Sequence, residues 1–214
     1  MQIIYTEYQA EEFLLKYKIP VSTRFLTNSY EEVLDAIKKI RFPIDLKIMS
    51  TEVLHKSDVG GVRICYNIND VKKEYEEIMS IVKKLKVKKF EGILVQEFKK
   101  GKELFIGLKK DDVFGHVIGF GFGGVFTEVI KDVNFRVCPI DDKNAQELID
   151  ELKAKSILYG VRGEKPVNIK LLKKILIQIS RIPLKHDNLQ ELDINPIIMH
   201  DDKATVVDAR LVLG

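Results

Sequence analysis

Residues 43–66, PIDLKIMSTEVLHKSDVGGVRICY, are the stretch from which the fold is most directly predicted. Residues 43–50 are mostly apolar, which predicts a strand. Residues 62–66 alternate apolar side chains with others, which predicts a second strand that returns from a loop. The loop between them, residues 51–61, is rich in polar and turn-forming residues. This stretch therefore predicts a β-sheet that carries a functional loop.

The loop and the strand before it gather unlike functional groups. Lys47 lies in the first strand, and the loop supplies His55, Asp58 and the pair Gly60 and Gly61. Lysine supplies positive charge, and glycines let the backbone approach a phosphate without a Cβ in the way, so the segment predicts a site for phosphoryl groups. Local pattern alone leaves an alternative open, in which Lys47 reaches into solvent, His55 is a surface residue and the glycines form a hairpin turn.

The composition is that of a globular protein. The chain has 214 residues, 45% of them hydrophobic, which is enough for one large domain or two smaller ones. The 35 basic and 32 acidic residues give a formal charge of +3, too balanced to predict nucleic-acid binding. No apolar run is long enough to span a bilayer and residues 1–10 lack a signal-peptide pattern, so we expect a cytoplasmic protein without membrane contact. Cys65 and Cys138 have no metal-ligand spacing, so we expect buried thiols.

The rest of the chain predicts helices and strands on both sides of the opening stretch. Helices are predicted at residues 6–18, 28–40, 71–85 (capped by Asn69 and Asp70), 143–154 and 169–181 (capped by Asn168). Further strands are predicted at residues 21–26, 92–98, 103–108, 113–120, 125–131, 134–140, 190–200 and 204–213. A turn at Lys100 and Gly101 predicts that strands 92–98 and 103–108 form a hairpin. This order favours an α+β fold of two lobes with a ligand in the cleft between them.

A glycine cluster at residues 119–124, GFGFGG, excludes a helix interior there. It matches the G-x-G-x-x-G pattern of dinucleotide-binding folds. The residues that follow have a strand pattern, whereas the dinucleotide-binding motif opens a helix. The sequence therefore does not predict a Rossmann domain.

Several motifs together resemble one family. They are Lys47, HKSDVGGV at 55–62, FG at 114–115, GFGFGG at 119–124, KD at 131–132, FR at 135–136, GVRG at 160–163 and ELDINP at 191–196. This set covers essentially the whole chain in family order and resembles the β subunit of ADP-forming acetate-CoA ligase, an ADP-forming acyl-CoA synthetase related to succinyl-CoA synthetase β. The resemblance implies an ATP-grasp fold, two α+β lobes with the nucleotide in the cleft between them. Residues 20–95 would form the N-terminal lobe, and residues 1–19 with 96–214 the C-terminal lobe.

The resemblance also implies an activity, the reversible conversion of acyl-CoA, ADP and phosphate into a carboxylic acid, ATP and CoA. Lys47 resembles the family's strand lysine, whose charge lies along the nucleotide phosphates. His55 resembles the phosphohistidine that passes phosphate to ADP, since a neutral imidazole is a good nucleophile near neutral pH. Asp58 is expected to orient that imidazole, a hypothesis that rests on spacing. Gly60 and Gly61 are expected to let the loop close over phosphates.

The remaining site residues follow from the same resemblance. Asn195 and Asp208 resemble the family's Mg²⁺ ligands, and Asp193 lies on the same face of the strand as Asn195. The alternative is that Asn195 and Pro196 form a turn and that Asp208 is a surface acid. The expected nucleotide contacts are Val95, Gln96, Glu97 and Phe98 at the adenine, Glu97 or Glu103 at the ribose, and Glu128 with Gly121–Gly124 on the phosphate side. Arg136 or Arg162 is expected to bind phosphate through its forked guanidinium group.

The expected assembly includes a second chain. The resemblance implies an α subunit that carries the CoA-binding and acyl sites, joined in an α2β2 heterotetramer. Two alternatives remain, a nucleotide-sensing module without chemistry and an ATP-grasp ligase that joins a carboxylate to an amine. The sequence departs from the family pattern at Lys18, Asp45 and His116. None of these is a proposed catalytic residue.

Overall fold

The structure, a computed structural model, describes residues 2–53, 55–124, 132–161 and 163–214. The chain divides into two compact units: unit 1 contains residues 1–21 and 100–214, and unit 2 contains residues 22–99. Each unit combines helices with an antiparallel sheet, so the predicted α+β class is confirmed. Within the described residues, no helix has the length and apolar character needed to cross a membrane.

The part of unit 2 that the structure describes is a four-stranded sheet with two helices on one face. Its elements are β2 (Arg24–Thr27), α2 (Tyr30–Ile37), β3 (Ile44–Ser50), β4 (Val62–Cys65), α3 (Ile68–Lys84) and β5 (Phe90–Glu97), and the strand order is β2-β5-β3-β4. Ile44, Leu46 and Ile48 of β3 pack in the core with residues of α2 and α3. Because side chains alternate along a strand, Asp45 and Lys47 point to the opposite face.

The start of α3 corrects one prediction. The helix begins at Ile68, three residues before the predicted start, and Asn67 rather than Asn69 is its cap. The Asn67 side chain accepts from the Asn69 amide at 2.9 Å, while the Asp70 carboxylate accepts from the Asn67 amide at 3.1 Å. Asp70 therefore closes a reciprocal capping box from the third helical position.

In its described residues, unit 1 forms a seven-stranded sheet, and the helices found there pack on one face. Its elements are β1 (Ile3–Tyr5), α1 (Glu7–Lys16), β6 (Lys102–Asp111), β7 (Gly115–Phe122), β8 (Val133–Val137), α4 (Asp142–Asp150), α5 (Ser156–Tyr159), α6 (Ile169–Ser180), a 3-10 turn (Ile182–Leu184), β9 (Leu189–His200), β10 (Lys203–Val206) and β11 (Ala209–Leu213). The strand order is β1-β11-β9-β6-β7-β8, with β10 also paired to β9. Ile106, Phe120 and Ile194 are fully buried in the core. The predicted cap of α6 is confirmed, since the Asn168 side chain accepts from the Leu171 amide at 2.9 Å.

Three strand predictions needed correction or fall outside the described residues. The predicted hairpin of strands 92–98 and 103–108 is wrong, because β5 pairs with β2 and β3 whereas β6 pairs with β7 and β9. The predicted strand 204–213 is two strands, broken at Val207 and Asp208, so that β10 and β11 pair with different halves of β9. The strand predicted at 125–131 lies outside the described residues.

Candidate active site

Lys47 is buried in the middle of β3. It is 5% exposed, and its neighbours across the sheet are Leu94 of β5 and Val62 of β4. Lysine is rarely this buried. An ammonium group with so little access to water does not fit the alternative in which Lys47 reaches into solvent. The burial fits a lysine whose charge serves a bound anion or a protein partner.

The loop that carries His55 is closed tightly at its glycine pair. The Gly60 amide donates to the Ser57 carbonyl at 3.0 Å, and the Gly61 amide donates to the Lys56 carbonyl at 2.6 Å. Gly60 has a φ of +72°, and a Cβ on Gly61 would lie 3.0 Å from the Lys56 carbonyl oxygen. The left-handed backbone at Gly60 therefore favours glycine, and a side chain at Gly61 would force its neighbours to shift by a few tenths of an ångström where the chain returns into β4. The geometry gives the pair a turn-forming role, and contact with phosphate stays a prediction.

His55 and Asp58 are exposed on this loop. Both line a shallow depression of about 460 Å³ in unit 2, together with Glu52, Val53, Leu85 and Val87. An exposed imidazole is accessible to a second molecule, which a group that exchanges phosphate between two sites requires. The predicted orientation of His55 by Asp58 stays a prediction.

Glu52 anchors the beginning of this loop, a role that the sequence did not reveal. Its carboxylate accepts from the amides of Lys88 at 2.7 Å and Lys89 at 3.1 Å, and these two hydrogen bonds hold the pKa of Glu52 below its usual value. The partners lie 36 and 37 residues away in the sequence. Local pattern has no signal for such a contact. The loop thus leaves β3 from a fixed position.

The predicted adenine-binding segment ends β5. Val95 and Gln96 lie in the ladder between β2 and β3. The Glu97 amide donates to the Thr23 carbonyl at 2.9 Å and the Phe98 amide to the Pro43 carbonyl at 3.1 Å. In this arrangement, these two N–H groups already have acceptors, so an adenine would have to use other groups of the segment. The Glu97 carboxylate lies 2.7 Å from Lys99 Nζ.

In unit 1, Glu103 lies beside the end of the glycine cluster. The Gly123 amide donates to the Glu103 carbonyl at 2.9 Å. A Cβ on Gly124, whose φ is +60°, would collide with the Glu103 carboxylate. The structure thus brings Glu103 next to Gly123 and Gly124, which the sequence assigned to different parts of a nucleotide site. Glu128 and Arg162, also predicted at this site, lie outside the described residues.

The predicted metal ligands meet where β9 passes β11. The Asn195 amide donates to the Asp208 carbonyl at 3.2 Å, and the Asn195 side-chain oxygen accepts from the Gly124 amide at 3.1 Å. On the other side of β9 the pairing with β6 shifts by one residue, because Leu104 pairs with Ile197 whereas Ile106 pairs with Ile194. Such a bulge re-aims side chains locally. Sequence and structure therefore agree that Asn195 and Asp208 are neighbours.

The surroundings of Asp193 fit a cation at this position. Burial is the largest cause that raises the pKa of Asp193 to about 6, and the negative charges of Glu191 and Asp208 add to it. The positive charge of Arg210 lowers the pKa in part. Asp193 Oδ1 is buried, and the described residues offer it no hydrogen-bond partner. Within the described parts of the chain, no group of three or more His, Cys, Asp and Glu side chains can hold a metal. The oxygens of Asn195 and Asp208 fit Mg²⁺ that completes its shell with phosphates and water.

Arg136 lies in an ion-pair cluster with acidic side chains, on the face of the sheet opposite to Asp193. Its guanidinium lies 2.6 Å from the Glu151 carboxylate and 3.5 Å from that of Glu147, which raises the pKa of Arg136. Arg136 pairs with the buried Ile118, so its side chain leaves the sheet on the helix-covered face. Asp193 leaves β9 on the opposite face. We therefore do not include Arg136 in the proposed site.

Comparisons with known proteins place the chain in a family. A family model described as an ATP-grasp domain matches residues 2–213. The chain is 39% identical over 212 residues to "Acetate--CoA ligase [ADP-forming] I subunit beta" of Pyrococcus furiosus, covering 97% of this chain and 90% of the relative. It is 42% identical over 200 residues to "Acetate--CoA ligase [ADP-forming] I" of Archaeoglobus fulgidus, covering 92% of this chain and 29% of that longer relative.

Comparison with solved structures leads to the same family. The chain is similar to the "dinucleotide forming Acetyl-coenzyme A synthetase 1" of Ca. Korarchaeum cryptofilum in complex with coenzyme A and Ca-AMPCP, with 43% identity, a TM-score of 0.94, and coverage of 99% of this chain and 93% of that one. A second structure of that protein, 41% identical, with a TM-score of 0.84 and coverage of 97% and 92%, holds coenzyme A and Mg-AMPPCP and has its "phosphohistidine segment pointing towards nucleotide binding site". The predicted family and fold are confirmed: this chain belongs to the ATP-grasp family.

Proposed function

We propose that this chain is the nucleotide-binding, phosphoryl-transferring subunit of an ADP-forming acyl-CoA ligase. The reaction converts acyl-CoA, ADP and phosphate reversibly into a carboxylic acid, ATP and CoA. The observation that carries the proposal is the pairing of Asn195 with Asp208 beside Gly124, in an acidic and poorly hydrated setting. The similarity to β subunits of acetate–CoA ligases supports it.

In this proposal, the described residues divide the work of one phosphoryl transfer. Asn195 and Asp208 would hold Mg²⁺, which offsets charge on the nucleotide phosphates when bound. Lys47 places a second positive charge along those phosphates. A nitrogen of the His55 imidazole forms a bond to phosphorus as the bond between that phosphorus and a histidine nitrogen of the partner subunit breaks, so the partner histidine leaves unphosphorylated. The bond to His55 breaks when a terminal oxygen of ADP attacks the same phosphorus, which makes ATP and returns neutral histidine.

The remaining chemistry belongs to a partner in this proposal. The Pyrococcus relative is named as a subunit, and the Archaeoglobus relative is a chain of which this domain matches only 29%. We propose that an α subunit binds CoA and the acyl group and supplies the phosphate that reaches His55. An α2β2 assembly is the form that we propose. The substrate class is a small carboxylic acid, as the names of the relatives indicate.

The exposure of His55 favours transfer over the two alternatives. A module that only senses nucleotide needs a binding site but no accessible histidine, and a ligase that joins a carboxylate to an amine passes no phosphate through histidine. The loop displays His55 at the surface between a fixed start at Glu52 and a tight return at Gly61. Such a group is positioned to meet a second site.

The test uses the purified chain with its candidate α subunit, Mg²⁺ and ATP labelled in the terminal phosphate. The candidate is the chain from the same genome that matches the rest of the longer relatives. We expect acid-labile, base-stable label on this chain, and we expect His55→Asn to lose the label but still bind ATP. His186→Asn, a change at a histidine that hydrogen-bonds Tyr17, is the matched control and should keep the label. Nucleotide binding without label on the wild-type chain would establish the sensing alternative instead.

A further inference from the structure

The outward face of the unit 1 sheet carries an exposed apolar surface at the β6–β7 turn and β8. Val113 is 83% exposed, Phe114 63%, Phe135 62% and Val137 51%. Phe114, Phe135 and Val117 of β7 line one pocket, and Val137 pairs with Val117, so Phe114, Phe135 and Val137 lie close together. Val113 precedes Phe114 in the turn. Clustered apolar side chains in water are typical of a surface that another molecule covers.

A pocket opens beside this surface. It has a volume of about 470 Å³, and its aromatic lining is Phe105, Phe114 and Phe135. Its floor is the glycine pair Gly107 and Gly119, which face each other across β6 and β7. A Cβ on Gly107 would lie 2.6 Å from the Phe105 ring, and one on Gly119 would lie 2.9 Å from the Phe135 ring. The two rings therefore lie directly against backbone, and the pocket depends on both glycines.

The charged lining of the pocket is predominantly acidic. Among the described residues, Asp111, Glu191 and Asp193 line the pocket, and Lys109 is the one basic residue in its lining. Glu191 also lies 3.5 Å from Arg210. Aromatic faces and carboxylates together attract a cation that has been partly stripped of water. The chemistry of the pocket therefore fits an arginine or lysine side chain set among apolar residues.

The turn that carries Phe114 is held in place before any partner arrives. The Asp111 carboxylate accepts from the amides of Val113 at 2.8 Å and Phe114 at 2.9 Å, which lowers the pKa of Asp111 and keeps it charged. Lys110 Nζ donates to the Asp187 carbonyl at 2.9 Å, and His116 Nε2 lies 2.8 Å from the Leu189 carbonyl oxygen. His116 is one of the departures from the family pattern. A surface fixed in this way loses little conformational entropy on docking.

The pocket lies in line with the proposed metal ligands on one face of β9. Asn195, Asp193 and Glu191 follow each other at alternate positions, so a step of four residues, roughly 13 Å, separates Glu191 from Asn195. Lys102, where β6 begins, pairs with Met199, on the other side of Asn195 from the pocket. A group that approaches the metal ligands from the β6–β7 turn therefore passes over the pocket.

We propose that this surface docks the partner subunit of the ligase, which inserts a cationic side chain flanked by apolar residues into the pocket. The inference rests on the proposed function, because that function requires a second subunit to deliver phosphate. The line from the pocket to Asn195 identifies the partner subunit as the occupant, because in the proposed function that subunit must bring phosphate to the metal ligands. A second copy of this chain is the competing occupant that the experiment must separate.

The test measures the Kd between the intact chain and the candidate α subunit defined above. We expect the double variant Phe114→Ser with Phe135→Ser to weaken binding about tenfold or more, as loss of aromatic anchors does. Leu184→Ser removes an equally exposed apolar side chain, 68% exposed, elsewhere in unit 1 and should leave the Kd unchanged. ADP binding and thermal unfolding of each variant alone confirm that it is folded.

Charge variants test the cation independently of the aromatic residues. Glu191→Gln should weaken binding and Lys109→Ala should tighten it, each by about two- to fivefold, the range of an exposed charge pair. The wild-type Kd should also rise with salt concentration. If both variants changed the Kd in the same direction and by the same factor, the result would contradict a cationic occupant.

The outcomes separate this inference from the proposed function. If the double variant binds the α subunit like the wild type and His55 is still phosphorylated, the surface is assigned wrongly and the function stands. If the wild-type chain alone is a dimer that the double variant dissociates, the occupant is a second copy. If the wild-type chain neither binds the α subunit nor acquires label, the proposed function fails and this inference fails with it.

Discussion

The burial of Asp193 predicts that this one carboxylate makes the nucleotide-free protein less stable at neutral pH. In the folded state its pKa is about 6, against an ordinary value of 3.8. The folded state therefore retains a proton between these values that the unfolded state has already released. Because the raised pKa belongs to the folded state, stability falls as pH rises through this window. Above pH about 6 the full penalty applies, and below about 4 it vanishes.

The size of the effect follows from the shift. About two pKa units at 1.36 kcal/mol each give a penalty of up to about 3 kcal/mol near pH 7. Asp193→Asn removes the charge and keeps the shape, so the variant should be more stable than the wild type at about pH 7 by up to about 3 kcal/mol. At about pH 4 the free energies of unfolding of the two proteins should agree to within about 0.5 kcal/mol, because Asp193 is then protonated in the folded wild type.

Urea unfolding of both proteins at the two pH values, in EDTA and without nucleotide, provides the measurement. Groups that do not interact with Asp193 titrate alike in both proteins. The change with pH of the stability difference between the two proteins therefore reports on Asp193 together with its coupling to Glu191 and Asp208. Asp208→Asn offers a comparison, since removal of a neighbouring charge should lower the pKa of Asp193 and reduce the penalty. Equal stability of wild type and Asp193→Asn at neutral pH would refute the inferred burial of a charged group.

Two further predictions concern Lys47 and the cysteines. Lys47→Met should leave the chain folded, because methionine fits a site flanked by Leu94 and Val62. The variant should nevertheless transfer the phosphoryl group about 10²- to 10³-fold more slowly. Single-turnover transfer from labelled ATP measures this rate, and an unchanged rate would remove Lys47 from the site. Burial raises the pKa of Cys65 and of Cys138 to about 12, so both thiols should react with iodoacetamide at pH about 8 far more slowly in the folded chain than in urea. Rapid labelling of either in the folded chain, followed by mass spectrometry, would contradict that burial.

Local signals in the sequence predicted most of the elements that form the site. The strand predicted at residues 43–50 is found at Ile44–Ser50, and the helix predicted at 169–181 is found at Ile169–Ser180. Both have strong local signals, a continuous apolar run in one case and an asparagine cap with a periodic apolar face in the other. Asn195 and Asp208 are also neighbours, as their shared assignment to one Mg²⁺ implied, and that assignment came from the family resemblance rather than from a local signal.

The errors arose where a contact joins distant parts of the chain. Strands 92–98 and 103–108 are close in sequence, yet each has better partners elsewhere, so a short connection wrongly predicted a hairpin. The edge strand β1 has only three residues and was missed, since its pairing with β11 spans the whole chain. Glu52 was missed for the same reason. Arg136 was assigned from the family resemblance and its forked guanidinium group, and only the register with β7 reveals which face of the sheet it occupies.

The pairing of β1 with β11 has a consequence for the architecture of longer proteins. Ile3 lies opposite Leu213, and paired Cα atoms in antiparallel strands are about 5 Å apart. A polypeptide fused to either end would therefore leave from the same edge of the sheet. A fused domain would start from nearly the same position whether it precedes or follows this one. The same proximity permits circular permutation. A short linker between the two ends, with new termini opened at the exposed turn Asp201–Asp202, would preserve every strand pairing of unit 1.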